Sequence, residues 1–238
     1  MTTLTVDVHK AYLACAVIGW TSNSCSFVID YVRYEDEDCT DINSKVWEEV
    51  RYLIEEKTYL ADDDREYRVN VSFIDAGYYA TTVVKFCSQW ESNVYPILGR
   101  ETLAKARAMK TFAEGDTPLG TTYVHILVDH YKDRLAPVLR REWMEGMEEQ
   151  KIYHFNAPLD IDDADLKELT KEVRKQKRDD HGGMKYFWFR PDGANNELWD
   201  LLVYASAALD MCAYDICINR FEMQTVNWEA FWLFTKQE

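Results

Sequence analysis

The sequence predicts an α/β fold in which one mixed β-sheet is covered by helices. Three strand-like runs at the start of the chain are joined by short turns, a pattern typical of antiparallel hairpins. A strand, a helix and a second strand then follow in the order of a parallel crossover unit. A long apolar helix near the C-terminus supplies a core for such a sheet. No repeat or linker marks a boundary, so we expect residues 1–238 to form a single domain.

The first half of the chain provides the opening strands and one helix. Strands are predicted over Thr3–Val8, Ala11–Trp20 and Ser26–Tyr34, with short turn-like segments between them. Apolar residues then recur at helical spacing over 45–57, and Ser44 stands where it can cap that helix.

The crossover unit follows, and the remaining elements are less regular. An alternating strand leads from Val69 to Asp75 and a Gly-bearing turn; a helix over 80–90 and a strand over Val94–Leu98 come next. The later predictions are a flexible or hairpin-like excursion over Arg100–Gly120, strands over Thr122–Val128, Lys151–Phe155 and Lys185–Arg190, and helices over Tyr131–Glu148, Asp162–Lys177 and Asn196–Met211. We expect 212–238 to form an aromatic-rich helical tail that folds back on the domain or docks on a partner.

The chain is strongly acidic, with 27 Lys and Arg against 42 Asp and Glu and a formal net charge of −15. A nucleic-acid-binding protein usually carries a basic surface, so the chain alone is expected to bind DNA weakly. Its six cysteines show no CxxC pairing, which favours reduced thiols over a disulfide framework or a zinc site. No apolar run is long enough to span a membrane, and the start has no signal-peptide pattern.

Three aspartates stand out as candidate functional residues. Asp7 lies in the first strand between Val6 and Val8, and Asp75 ends the strand of the crossover unit. Asp200 is the one charge between Leu198 and Leu209, in a helix that is apolar on every side. A buried, unpaired carboxylate is costly, so Asp200 is expected to need a cation.

Aspartates that converge from separate elements suit hard divalent ions, because Mg²⁺ and Mn²⁺ prefer oxygen ligands. Two such ions about 4 Å apart can activate water and stabilise a leaving oxygen in phosphodiester cleavage. For any single aspartate in so acidic a chain, a turn, a helix cap or a salt bridge is the commoner role. Spacing along the sequence leaves these readings open.

At these residues the sequence resembles the C-terminal nuclease domain of the terminase large subunit of tailed bacteriophages, in its lambda-like branch. The most specific motif is Asn196-Glu197-x-x-Asp200, which leads into Val203-Tyr204-Ala205 and Ala207-Ala208-Leu209. Shorter matches are Leu4-Thr5-Val6-Asp7, Ala14–Trp20, Phe73-Ile74-Asp75-Ala76-Gly77, Val94–Gly99 and Ile152-Tyr153-His154-Phe155-Asn156.

The resemblance implies an RNase H-like fold with Asp7, Asp75 and Asp200 as catalytic and metal-binding residues. It implies an endonuclease that cuts concatemeric double-stranded viral DNA with two Mg²⁺ or Mn²⁺ ions, in the host cytoplasm. The partners implied are a terminase ATPase domain, the small terminase subunit and the portal. The chain has no GxxxxGK[ST] loop, so we expect an isolated nuclease domain without the ATPase domain.

Three other residues are candidates for an outer shell around the metal. His9 shares a strand face with Asp7, although an ordinary strand-end histidine is the commoner case. Glu197 precedes Asp200 by one helical turn, and Asp129 ends a predicted strand. As alternatives, Glu197 is a helix-start acid and Asp129 is a helix cap.

Basic residues in two regions are candidates for contact with DNA. Lys185 and Arg190 flank the last strand before the Asp200 helix. Arg100, Lys105, Arg107 and Lys110 lie in the Arg100–Gly120 excursion, where a surface loop is the alternative. Lys167, Lys171, Arg174 and Arg178 would share one helical face, although interleaved glutamates favour a solvated face with local ion pairs.

Three functional hypotheses follow from the sequence. The first is a terminase nuclease domain. The second is a non-catalytic RNase H-like scaffold that binds a protein partner through its acidic surface and aromatic tail. The third keeps the fold but changes the substrate, as in a resolvase, a transposase or a nuclease for RNA–DNA hybrids.

Overall fold

The computed structural model describes residues 1–22, 25–61, 64–103, 108–111, 121–142, 144–147, 153–178 and 182–235, with the side chains of 110 and 111 excepted. The strands, in chain order, are β1 Thr2–Val8, β2 Tyr12–Trp20, β3 Ser26–Glu35, β4 Tyr59–Leu60, β5 Glu66–Tyr67, β6 Val71–Asp75, β7 Val94–Arg100, β8 Met109–Thr111, β9 Val124–Leu127, β10 Phe155–Asn156, β11 Val173–Arg178 and β12 Met184–Phe189. The helices are α1 Val46–Glu55, α2 Ala80–Cys87, α3 Val128–Leu139, α4 Asp163–Glu168, α5 Glu197–Tyr214 and α6 Trp228–Thr235, with a π-helical segment, Asp215–Arg220, directly after α5.

The main sheet in the described part of the chain has eight strands in the order β10-β3-β2-β1-β6-β7-β9-β8. The first three strands pair antiparallel, whereas β1, β6, β7 and β9 pair parallel. Helix α2 makes the crossover from β6 to β7, because two parallel neighbours cannot be joined by a tight turn. Antiparallel and then parallel strands with flanking helices are the architecture of an RNase H-like nuclease, and the predicted fold class is confirmed.

Strand β1 is central, with β2 on one side and β6 on the other. Because β1, β6, β7 and β9 run in the same direction, their carboxyl ends meet at one edge of the sheet. We call this edge the carboxyl edge. Open α/β sheets place their ligands at this edge.

Helix α5 forms the core of one face of the sheet, where it packs on β1, β2 and β6. Most of its side chains are buried, as predicted from its apolar sequence. The Thr5 hydroxyl donates a hydrogen bond of 3.1 Å to the carbonyl of Leu201, which fixes α5 against β1. With the π-helical segment, this helix is long and apolar enough to cross a bilayer, but here it lies inside the fold.

The second core lies on the other face of the sheet, beneath α1 and α2. Helix α1 buries Val46, Trp47, Val50 and Leu53, which confirms the helical spacing read from the sequence. The Ser44 hydroxyl accepts a hydrogen bond of 3.4 Å from the amide of Val46, while the residue at the cap position itself is Lys45.

The predicted helix over Asp162–Lys177 is wrong. Helix α4 ends at Glu168, and β11 follows as a strand that pairs antiparallel with β12. Lys167, Lys171, Arg174 and Arg178 therefore do not share a helical face. The physical reason is that residues 173–178 are all exposed and have no apolar face to bury as a helix, so cross-strand pairing decides their structure.

Other elements shift at their ends. Helix α3 covers Val128–Leu139 rather than the predicted Tyr131–Glu148. It begins directly after β9, with no loop between them. It contains Pro137 near its end, and a proline disfavours continuation of the helix. Strand β8 pairs antiparallel with β9, so part of the Arg100–Gly120 excursion is hairpin-like. Strand β10 is confined to Phe155–Asn156, with 151 and 152 outside the described residues. The tail folds back, because Phe231 and Trp232 are buried in the α5 core.

Candidate active site at the carboxyl edge

Asp7 and Asp75 lie on neighbouring parallel strands at the carboxyl edge. The register pairs Val6 with Ile74, so the next residues in the two strands are the two aspartates. The Asp75 carboxylate accepts hydrogen bonds of 2.8 Å from the Gly77 amide and 3.1 Å from the Tyr204 hydroxyl. A Cβ added at Gly77 would lie only 3.1 Å from the Asp75 oxygen that accepts from the Gly77 amide, so a side chain here would force that carboxylate to shift by a few tenths of an ångström.

The charge of Asp75 is poorly compensated. Burial and, next, the negative charge of Asp7 raise the pKa of Asp75 to about 6. The charge of Asp200 acts in the same direction, whereas the Gly77 amide and the Tyr204 hydroxyl oppose it. The three predicted aspartates are thus near enough to repel one another, and a cation at this edge would relieve that repulsion.

Asp200 enters the same edge from the first turn of α5, but it already has partners. Its Oδ1 lies 2.9 Å from Lys132 Nζ, and its Oδ2 accepts a hydrogen bond of 2.7 Å from the Asn196 side-chain amide. Burial raises the pKa of Asp200, and Lys132 partly offsets that effect. The prediction that this carboxylate needs a cation was made on the assumption that it is unpaired, and that assumption is wrong.

A second group of polar residues adjoins Asp7. His9 Nε2 lies 3.1 Å from the Asp7 carboxylate and 3.8 Å from that of Glu197. The Tyr12 hydroxyl donates a hydrogen bond of 2.8 Å to Glu197, and the Tyr12 and His9 rings stack with centroids 4.3 Å apart. The hydrogen bond to Asp7 raises the pKa of His9, although burial opposes it. His9 thus contacts Asp7 directly, and its place in an outer shell around a metal stays a prediction.

The described side chains suit a divalent ion at Asp7 and Asp75 better than at Asp200. Among the described residues, no group of three or more His, Cys, Asp or Glu side chains is arranged tightly enough to form a ready-made metal site. Asp7 and Asp75 are neighbouring oxygen donors of the kind that Mg²⁺ and Mn²⁺ prefer, and His9 is the charged partner that Asp7 already has. A carboxylate has about four lone-pair sites, so the two hydrogen bonds to Asp75 leave acceptor capacity for an ion.

The other predicted site residues are more scattered. Glu197 is the first residue of α5 and has a buried side chain. Asp129 lies in the first turn of α3, two residues past the cap residue Leu127, so the cap alternative is wrong. Burial raises the pKa of Asp129, and the charges of Arg174, Lys132 and Lys185 counter it.

Among the predicted DNA-binding residues, Lys105 and Arg107 lie outside the described residues. Lys110 belongs to β8, but its side chain is not described.

Sequence reasoning missed four residues of the site, namely Lys132, Glu172, Asn196 and Tyr204. Asn196 and Tyr204 stand in the motif around Asp200, four residues before and after it, so helical spacing was a usable signal for both. Lys132 and Glu172 come from α3 and the segment before β11, and nothing in their local sequence pairs them with Asp200.

A basic hairpin, formed by β11 and β12, projects next to α5. Its two strands carry five basic residues and no acidic residue, in a chain of net charge −15, while the sequence that joins them contains Asp179 and Asp180. Lys177 lies directly opposite Lys185, a like-charge pair that is unfavourable unless an anion approaches. The base of the hairpin is fixed to α5, because the Trp188 and Trp199 rings lie 5.6 Å apart and Arg190 donates a hydrogen bond of 2.7 Å to Asn196.

Two depressions in the described surface lie away from the carboxyl edge. One is lined by residues of α1 and α2, and the other lies around Val69 and Asn93. Neither contains a candidate aspartate.

One comparison with known proteins gave a match. Residues 1–228 match the family described as terminase large subunit gpA, endonuclease domain. No curated protein and no solved structure gave a significant match to the chain.

Proposed function

The chain belongs to the terminase large subunit gpA endonuclease domain family, and we propose on that basis that it hydrolyses concatemeric double-stranded viral DNA with a divalent ion. A nuclease role in genome packaging follows from the family. The proposal adds the substrate, the use of Mg²⁺ or Mn²⁺, and Asp7, Asp75 and Asp200 as the residues responsible. It also adds the host cytoplasm as the place of action.

The observation that carries the proposal is the pairing of Asp7 with Asp75 on neighbouring parallel strands. Burial and, next, the charge of Asp7 raise the pKa of Asp75 to about 6. Two neighbouring carboxylates at the carboxyl edge of a sheet, of which Asp7 has a histidine partner, are costly unless a ligand uses them. A structural role alone gives no reason to retain that cost, whereas binding a divalent ion does.

Each residue of the edge has a distinct task in this proposal. Asp7 and Asp75 offer oxygen ligands, and Tyr204 and Gly77 hold the Asp75 carboxylate in one orientation. A bound divalent ion supplies charge stabilisation at the phosphate and lowers the pKa of water for attack. His9 can hold or release a proton beside Asp7, because its pKa is raised from a value near neutrality. The resemblance implied two ions, held by Asp7, Asp75 and Asp200 together.

DNA must be brought to a chain that is acidic overall. The basic hairpin is the element best suited to contact phosphates, and its base at Arg190 leads directly to the Asn196–Asp200 contact. Terminase partners supply the rest of the DNA-holding surface in this proposal: an ATPase domain, the small subunit and the portal. Weak binding by the chain alone is therefore expected.

The first test is plasmid cleavage by the wild type and by Asp200→Asn, each in Mg²⁺, Mn²⁺ or EDTA. We expect cleavage only with metal, and a loss of about 10³-fold or more in the variant. Asp200 holds the Lys132 ammonium in place, and its replacement would leave that charge free to repel the ion at Asp7 and Asp75. Asp210→Asn is the matched control, since Asp210 lies further along α5 and pairs with Arg134. Wild-type activity in Asp200→Asn would contradict the assignment, and no cleavage in any metal would favour the scaffold hypothesis.

The role of the basic hairpin is tested by the salt dependence of DNA binding. The double variant Lys177→Gln/Arg178→Gln should bind duplex DNA more weakly at low salt. The slope of log K against log salt should become shallower by about 1.8, since each lost phosphate contact removes about 0.9. The control Lys45→Gln/Lys85→Gln makes the same charge change at exposed positions near α1 and on α2. Equal slopes in both variants would show that the hairpin has no special contact with DNA.

A further inference from the structure

Lys132 is a buried cation inside the acidic edge. Its side chain is only 8% exposed, and its ammonium lies 2.8 Å from both carboxylate oxygens of Glu172 and 2.9 Å from Asp200 Oδ1. It reaches this position because α3 begins directly after β9, at the same carboxyl edge as Asp7 and Asp75. A long side chain with a compact charge at its end can enter such a site from one helical turn away.

The surroundings of Lys132 form one connected network. The Asn196 amide donates hydrogen bonds of 2.7 Å to both Glu172 and Asp200, and Arg190 donates to the oxygen of the same amide. Glu172 is 6% exposed and Asp200 is 23% exposed. Each oxygen of the Asp200 carboxylate therefore has a protein partner, Lys132 or Asn196, and part of the carboxylate is exposed to solvent. Two carboxylates around one cation are the arrangement in which a second divalent ion would otherwise be expected.

We propose that the Lys132 ammonium takes the place of a second metal ion beside Asp200, so that the chain holds one divalent ion, at Asp7 and Asp75. The inference rests on the proposed function and refines its metal count. Lys132 is a positioning residue here: it fixes the Asp200 carboxylate and supplies positive charge without being a metal ligand. A divalent ion seated between Glu172 and Asp200 would meet the buried ammonium at short range, and the two positive charges would repel.

The test is the number of Mn²⁺ ions bound per chain, counted by electron paramagnetic resonance during titration of the full chain. The wild type is expected to bind one ion. Lys132→Met is expected to bind two, because Glu172 and Asp200 are then free to accept a divalent ion. Lys132→Arg restores the cation and should return the count to one. A purely structural lysine would lower stability when replaced, but the ion count would not change.

Arg134→Met is the matched control. The Arg134–Asp210 ion pair also joins α3 to α5, but it lies away from the carboxylates. This variant should bind one ion, as the wild type does. A second ion in Arg134→Met would mean that loosening the two helices, rather than removing the Lys132 charge, opens the site, and it would overturn the inference.

The remaining outcomes separate the inference from the proposed function. Two ions in the wild type, or one ion in folded Lys132→Met, would overturn the inference and leave the nuclease proposal standing. No ion in either protein would overturn both. The number of Mn²⁺ ions bound by the wild type is measured without any variant, so it tests the inference even if Lys132→Met does not fold. In that case Lys132→Gln, whose amide can still donate to Glu172, replaces it.

Discussion

Asp75→Asn is expected to abolish metal-dependent cleavage and at the same time to stabilise the folded chain in metal-free buffer. The loss of cleavage follows from removing a candidate ligand of the ion. The gain in stability follows because the carboxyl group has a pKa of about 6 in the folded chain, above its ordinary value of 3.8. Between those values the folded state binds more protons than the unfolded state, so the stability of the wild type falls as pH rises through that window.

The size of the gain is bounded by the pKa shift. At about 1.36 kcal/mol per pKa unit, the neutral amide should raise the free energy of unfolding by up to about 3 kcal/mol above pH 6. Below about pH 4 the difference should vanish, since the wild-type carboxyl is then protonated in both states. Urea denaturation of both proteins in EDTA at pH 7.5 and pH 4 measures this directly.

Asp30→Asn is the control variant, and its effect on the free energy of unfolding is expected to have the opposite sign. The Asp30 carboxylate accepts hydrogen bonds from Lys57 and Tyr59 and is satisfied in the folded chain. Its replacement should lower stability at pH 7.5. A stability gain in both variants, or a gain in Asp75→Asn that does not depend on pH, would mean that the uncompensated charge of Asp75 is not the cause.

Trp199→Ala is expected to destabilise the chain by about 3–5 kcal/mol, the usual cost of removing a fully buried aromatic side chain. Trp199 lies in the core between α5 and the sheet and also contacts Trp188 at the base of the basic hairpin. The substitution therefore opens a cavity and removes a contact that fixes the hairpin. The free energy of unfolding from urea titration gives the result.

Trp199→Phe separates cavity formation from loss of the ring. The indole nitrogen of Trp199 has no hydrogen-bond partner among the described residues, so phenylalanine loses volume but no hydrogen bond. It should cost less than half as much as alanine. If both variants cost the same, the polar group of the indole rather than its volume would be responsible, and the packing argument would be wrong.

The sequence was most informative where a local pattern determines the structure. The hairpin strands around Asp7, the crossover strand ending at Asp75 and the apolar helix of Asp200 follow from periodicity and turn residues alone. These elements place all three aspartates at one edge once the strands are paired. The convergence itself did not follow from spacing along the sequence, and only the family resemblance implied it.

The partners of Asp200 could not be predicted in the same way. Burial correctly indicated that this carboxylate needs a cation, but Lys132 is separated from it by 68 residues along the chain. No local pattern connects two such positions, because the contact depends on how α3 packs beside α5. The prediction of a helix over the first strand of the basic hairpin failed for a related reason. Residues 173–178 are polar throughout, so their pairing with β12 decides between helix and strand.

The apolar surface of α5 on every side has a consequence for how this protein loses its structure. Any change that uncovers the helix presents a segment long enough to enter a bilayer or to associate with the same segment in another copy. Destabilised variants should then aggregate before they can refold, and heating should be irreversible. When such variants are heated, the rate of inactivation, rather than an apparent thermal midpoint, is the meaningful measure of what a substitution has cost.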